Sequence, residues 1–228
     1  MRNRTLAATL AQLVNTHAPD LTLRGLEVGC QWGMFLEKLA PLTKLRWWGA
    51  DPVINRHLSR SGWELVTGVA DDLPFPDAVF DCVVLANVYE HIDPERRDAS
   101  LREMRRVLVD GGIVVGQLPN PHFPIESHSK LPLMGFLPRR VQSVYWRVSP
   151  ARRGAGFHSV SVRDLVRRAK VAGFEVVSVR TFSYPPEAAP PSVRWLVRSL
   201  QRWSTVMPWS WQFVLRRKSE LPHHVPRS

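Results

Sequence analysis

Short apolar runs alternate with segments whose apolar positions recur every three or four residues. The runs Leu23 to Val28, Lys44 to Ala50, Glu64 to Val69, Phe80 to Ala86 and Ile113 to Leu118 predict five buried strands. Gly33 to Leu39, Asn55 to Ser61 and Pro94 to Leu108 predict helices between them. In the last of these, Leu101, Met104, Val107 and Leu108 share one face and arginines take the other. Asp110-Gly111-Gly112 is expected to end that helix, since glycine suits the left-handed turn beyond a helix. Met1 to Pro19 predicts an amphipathic helix ahead of the first strand. Later, Ser161 and Asp164 stand at capping-box spacing and open a helix that runs to Ala172 and stops at Gly173. Phe174 to Phe182 and Trp211 to Arg217 predict two more strands. The βαβαβ order predicts an α/β fold: an open, mostly parallel seven-stranded sheet with helices on both faces.

Two stretches leave this alternation, residues 119–157 and 183–210, both rich in proline, arginine and aromatics. The first is too long for an ordinary loop and lies at the ligand end of the fifth strand, where insertions act as lids or substrate platforms. In the second, Val193, Leu196, Val197, Leu200, Trp203 and Met207 share a helical face, with Arg194, Arg198 and Arg202 opposite. Such a helix lies on an anionic membrane or packs on the sheet edge with a solvated arginine face. At 228 residues, 44% of them hydrophobic, the chain suits a single domain with these elaborations.

The formal net charge is +11, carried mainly by arginine with five lysines. It attracts polyanions (nucleic acid, anionic lipid, phosphorylated substrates) without choosing among them. Two isolated cysteines and no secretory signal pattern point to a reducing, cytoplasmic setting. No run of 18 apolar residues offers a membrane span.

The chemistry concentrates in Leu26-Glu-Val-Gly-Cys-Gln-Trp-Gly33, a strand end with an acidic residue and a glycine turn leading into a helix. Glycine there supplies positive φ and lets a ligand approach the backbone. Asp51 ends the next strand, placed to accept from ribose hydroxyls, so the pair indicates a nucleotide-like cofactor. The spacing Glu27-x-Gly29-x-Gln31-x-Gly33 differs from the dehydrogenase Gly-x-Gly-x-x-Gly. It resembles the E/D-x-G-x-G-x-G loop of class I S-adenosylmethionine-dependent methyltransferases. Asp71-Asp-Leu-Pro-Phe, Asn87-Val-Tyr-Glu-His91, Leu101 to Gly112 and Ala172-Gly-Phe174 resemble that family's later motifs, in order.

The resemblance implies a Rossmann-like fold and S-adenosylmethionine as cofactor. Glu27, Gly29, Cys30, Gln31 and Gly33 would frame its methionine part, and Asp51 with Pro52 its ribose. Asp71, Asp72 and Leu73 would border the adenine, and Asn87 the sulfonium end. Two positions depart from the pattern. Gln31 carries a Cβ where the family usually has none, so the turn must widen or the side chain swing away. Val69 stands where relatives often have an adenine-binding aspartate. Ubiquinone-type O-methyltransferases carry Glu-x-x-Glu-His and a divalent metal at the position of Asn87-x-x-Glu90-His91; the first carboxylate is missing here, so no metal is expected.

Methyl transfer to a hydroxyl needs in-line positioning and loss of a proton, and a histidine is the natural base. His91 and His128 are the candidates. Trp32, Trp47 and Trp48 are expected in the core or on the sheet. The expected acceptor is a small molecule, a sugar or a lipid-linked compound, with an anionic membrane surface as partner at the inner face of the membrane. An RNA-modifying enzyme, with nucleic acid the less favoured partner, and a non-catalytic membrane-surface binding protein are the alternatives.

Overall fold

The computed structural model describes residues 2–18, 24–54, 63–123, 136–138, 140, 141, 144, 158, 160–188, 194–201 and 208–219. Seven strands form one sheet: β1 (Arg24–Val28), β2 (Arg46–Asp51), β3 (Trp63–Thr67), β4 (Phe80–Ala86), β5 (Leu108–Pro119), β6 (Phe174–Phe182) and β7 (Ser210–Arg217). Their order is β3-β2-β1-β4-β5-β7-β6. The first five are parallel to one another, and β7 runs antiparallel to both β5 and β6. The helices are α1 (Arg2–His17), α2 (Leu36–Leu39), α3 (Arg97–Val107), α4 (Val162–Val171) and α5 (Arg194–Gln201).

Burial on both faces explains why the central strands are apolar without a break. In β4, Val83 and Leu85 join the cluster holding Leu101 and Met104 of α3 and Leu165 of α4. Cys82 and Val84 face the other way, among Leu6, Leu10 and Val14 of α1 and Leu36 and Leu39 of α2. The sheet is therefore sandwiched between two helical layers, as the alternation predicts. Trp47 is fully buried and Trp48 packs against the core, but Trp32 is half exposed, contrary to expectation. Cys30 and Cys82 are free and buried, and burial pushes both thiols far up.

Ser161 caps α4 as expected, its side chain accepting from the Asp164 backbone N–H. The end of α3 differs. The helix stops at Val107 and β5 begins at Leu108, so Asp110-Gly111-Gly112 lies inside the strand, where β4 and β5 slip register after the Phe80–Leu108 pair. The last carbonyls of α3 already accept elsewhere: Arg106 from Ala78 N–H at 2.9 Å and Val107 from Val79 N–H at 2.8 Å. A glycine cap has nothing left to satisfy there. The helix expected at 33–39 is shortened to its last turn, and the one expected at 55–61 lies outside the described residues. Among the described residues no helix is long and apolar enough to cross a membrane.

Candidate active site

A cavity of about 820 Å³ opens at the carboxyl ends of β1, β2 and β4. The strand order reverses there: β1 pairs with β2 on one side and β4 on the other, which parts the loops above it. The turn after β1 places Gly29 (φ 75°), Gln31 (φ 50°) and Gly33 (φ 72°) in the left-handed region. A Cβ on Gly29 would lie 2.5 Å from Val88 Cγ2, so the loop after β4 closes directly on that glycine. Gly33 meets Trp63 in the same way and serves packing; it is buried and absent from the cavity wall. Gln31 solves its Cβ problem by turning left-handed with its side chain exposed to solvent.

Asp51 organises this end of the sheet. Its Oδ2 accepts from Gln31 N–H and its Oδ1 from Val53 N–H, at 2.8 and 2.9 Å. One carboxylate thus ties the β1 turn to the β2 turn and keeps lone pairs for a further donor. Glu27, on the same wall, is 2% exposed, and its Oε2 has no partner among the described residues. Burial, with the charge of Asp51 adding to it, pushes the Glu27 carboxyl up to about 8; a hydrogen bond from the Leu36 backbone opposes the shift. A buried acid with one oxygen open beside a second acid calls for a cationic donor, and Asp51 for hydroxyl donors. A ligand bearing an ammonium group and a sugar fits both.

A family model described as a methyltransferase domain matches residues 2–179. The chain belongs to the class I S-adenosylmethionine-dependent methyltransferases. A ubiquinone/menaquinone biosynthesis C-methyltransferase from Hahella chejuensis is 43% identical over 82 residues, covering 32% of each chain. One from Xanthomonas oryzae is 36% identical over 97 residues, 39% of this chain and 37% of the relative. The matched segments thus span about a third of these curated relatives. An S-adenosylmethionine-dependent methyltransferase structure from Archaeoglobus fulgidus shares the fold at TM-score 0.63 and 18% identity, covering 94% of each chain. S-Adenosylmethionine is the cofactor of this family, and the Glu27–Asp51 wall suits it.

In this methyltransferase the cavity wall includes Glu27, Gly29, Cys30, Gln31, Asp51, Pro52, Asp71, Asn87 and His91. Asp72 and Leu73 do not border it. A bridge between Val69 and Asp72 folds the loop so that Asp72 faces solvent and Leu73 is buried in the core. Both Asp71 oxygens accept from Arg96, at 2.6 Å each, so that corner presents an ion pair rather than an open carboxylate. Val69 itself lines the wall. His91 sits in a short turn after β4, at the edge of the cavity. His128 lies outside the described residues.

Sequence reasoning passed over several contributors. Asn3 and Leu6 bring the first turns of α1 onto the wall, and Trp32 with Val53 forms an exposed apolar rim. Asp93 lines the cavity and its Oδ1 lies 2.9 Å from His158 Nε2. The link to His158 spans the whole insertion, so no local motif signals it. Arg97, expected on an outer face, is buried instead: it donates to the Ile92 and His158 carbonyls and lies over the Tyr89 ring.

Proposed function

We propose that the protein transfers the methyl group of S-adenosylmethionine to a hydroxyl of a small-molecule, sugar or lipid-linked acceptor by direct in-line displacement. The observation carrying this reading is that Glu27, Asp51, Asn87 and His91 share one cavity wall. Glu27, through its open Oε2, would hold the ammonium group, with Gly29 and Cys30 framing the amino-acid part. Asp51 and Pro52 would hold the ribose, and Val69 with the Asp71–Arg96 pair the adenine. When bound, the cofactor supplies an electrophilic methyl carbon on a sulfonium. His91 would take the acceptor's hydroxyl proton at a ring nitrogen, and His128 is the second candidate for that task. Cys30 is not the nucleophile, because burial and the neighbouring acids hold its thiol protonated.

A second reading draws on the curated relatives, whose printed name is a C-methyltransferase of ubiquinone/menaquinone biosynthesis. Removing a phenolic proton enriches both the oxygen and the ortho carbon. The same base therefore serves ring-carbon methylation of a hydroxylated aromatic. An RNA substrate finds less support, because Arg46, Arg96, Arg106, Arg167, Arg168, Arg198 and Arg217 are all committed to carboxylates. Association with the inner face of an anionic membrane, to meet a lipid-linked acceptor, remains part of the first reading. It draws on Trp195, exposed on α5.

The experiment is transfer of tritiated methyl from S-adenosylmethionine into fractionated lipid, polar and RNA extracts. Label should enter the lipid or polar fraction and leave RNA unlabelled. His91→Ala should lower kcat by about 10²–10⁴-fold with unchanged affinity for S-adenosylhomocysteine. Absence of S-adenosylhomocysteine binding by calorimetry would sink the reading.

A further inference from the structure

Behind the cavity wall, Gln117 of β5 is 2% exposed and does not itself border the cavity. Ala86, the last residue of β4, pairs with it across the sheet, and Asn87 follows with φ 59°. Gln117 Nε2 donates to Asn87 Oδ1 at 3.2 Å. Gln117 Oε1 is buried without a partner among the described residues. The cross-strand neighbour Gln212 is engaged elsewhere, its Oε1 accepting from Arg180 and its Nε2 donating to Thr9.

An amide buried in the middle of the sheet with one end unpaired costs stability that leucine or valine at this position would not. Its compensation among the described residues is the bond to Asn87. The orientation of that bond is also determined. Rotating the Gln117 amide would let Oε1 accept from Asn87 but leave both Nε2 hydrogens buried and unpaired, and orphan donors are the rarer and costlier defect. With its Oδ1 turned back toward Gln117, Asn87 presents its Nδ2 hydrogens to the cavity. That group donates and cannot accept.

We infer that Gln117 is a positioning residue that fixes Asn87 as a hydrogen-bond donor, so that the pocket takes an oxygen-bearing acceptor and rejects the amine of the same shape. This rests on the methyl-transfer reading above and narrows its substrate class. A hydroxyl or oxyanion offers lone pairs to the Asn87 N–H. An aromatic amine has a single lone pair, which attack on the methyl group requires, so it leaves the donor unpaired. The arrangement thus favours methylation at oxygen, or at carbon beside it, over nitrogen.

Catechol and ortho-phenylenediamine share ring shape and differ only in hydroxyl against amino groups. Calorimetry on protein saturated with S-adenosylhomocysteine should show catechol binding about tenfold tighter or more. Gln117→Met keeps the volume but frees the Asn87 amide to rotate, and should bring the two probes within about threefold. Asn87→Asp presents acceptor oxygens only and should reverse the preference. Equal or tighter binding of the diamine to the unaltered protein, no binding of catechol, or an unchanged ratio in Gln117→Met would overturn the inference. The S-adenosylhomocysteine affinity of each variant reports separately on the fold and cofactor site. Should Gln117→Met lose it, Asn87→Asp decides alone. A failure of methyl transfer would strike the broader reading, whereas an unchanged ratio strikes this one only.

Discussion

Glu27 stores a pH dependence in the ligand-free protein. Burial and Asp51 raise its carboxyl from 4.5 to about 8, so between those values the folded chain keeps a proton that the unfolded chain has lost. Stability from this group therefore falls as pH rises across that window and is flat outside it. Denaturant unfolding of the ligand-free protein should show this slope, and Glu27→Gln should remove it. A cationic ligand at Oε2 favours the ionised form. Binding of S-adenosylhomocysteine near neutral pH should then release a proton, seen as a buffer-dependent calorimetric heat. A heat independent of the buffer would separate Glu27 from the ligand's ammonium group. Gln31 poses a backbone question at φ 50°. Gln31→Gly removes the left-handed penalty and should stabilise the protein by up to about 1 kcal/mol, less the entropy glycine adds to the unfolded chain. A loss of thermal stability would show that the Gln31 side chain compensates for its own strain.

Strands and helices were legible in proportion to how local their causes are. β4 and β6 run between the residues their apolar patterns mark, because a period of two or an unbroken apolar run leaves little choice. The Ser161 cap was equally local; Ser161→Ala should cost about 1 kcal/mol in chemical denaturation, and no change would mean the α4–α3 link from Arg168 to Asp98 sets that helix alone. Asp110-Gly-Gly112 misled because the groups that satisfy the end of α3, Ala78 and Val79, come from a distant loop. The site divides similarly. Glu27, Asp51, Asn87 and His91 stand at or just beyond strand ends, which the sequence marks, and all reach the wall. Asp72 and Leu73 leave it through the Val69–Asp72 bridge, and Asp93 gains His158 only through the tertiary fold. The α1 pattern shows which face packs but not that Asn3 and Leu6 reach the cavity.

The molecule joins two helical layers through one sheet, so a ligand at the reversal point reports on the assembled whole. S-Adenosylhomocysteine at a hundredfold excess over its Kd should add about 2.7 kcal/mol to unfolding, and the same excess over a weakened Kd the same amount. A fixed concentration should therefore protect Glu27→Gln less than the unaltered protein in thermal unfolding. Equal protection would mean Glu27 adds nothing to affinity. The close fit of Gly29 against Val88 has a kinetic consequence. Those residues belong to the loops of β1 and β4, which meet only when Leu26 has registered beside Val83, a pairing of segments far apart in the chain. Before that event there is no pocket for a ligand to recognise. The cofactor is thus a poor template for early folding: added during refolding it should leave the rate unchanged, while on the native protein it retards unfolding.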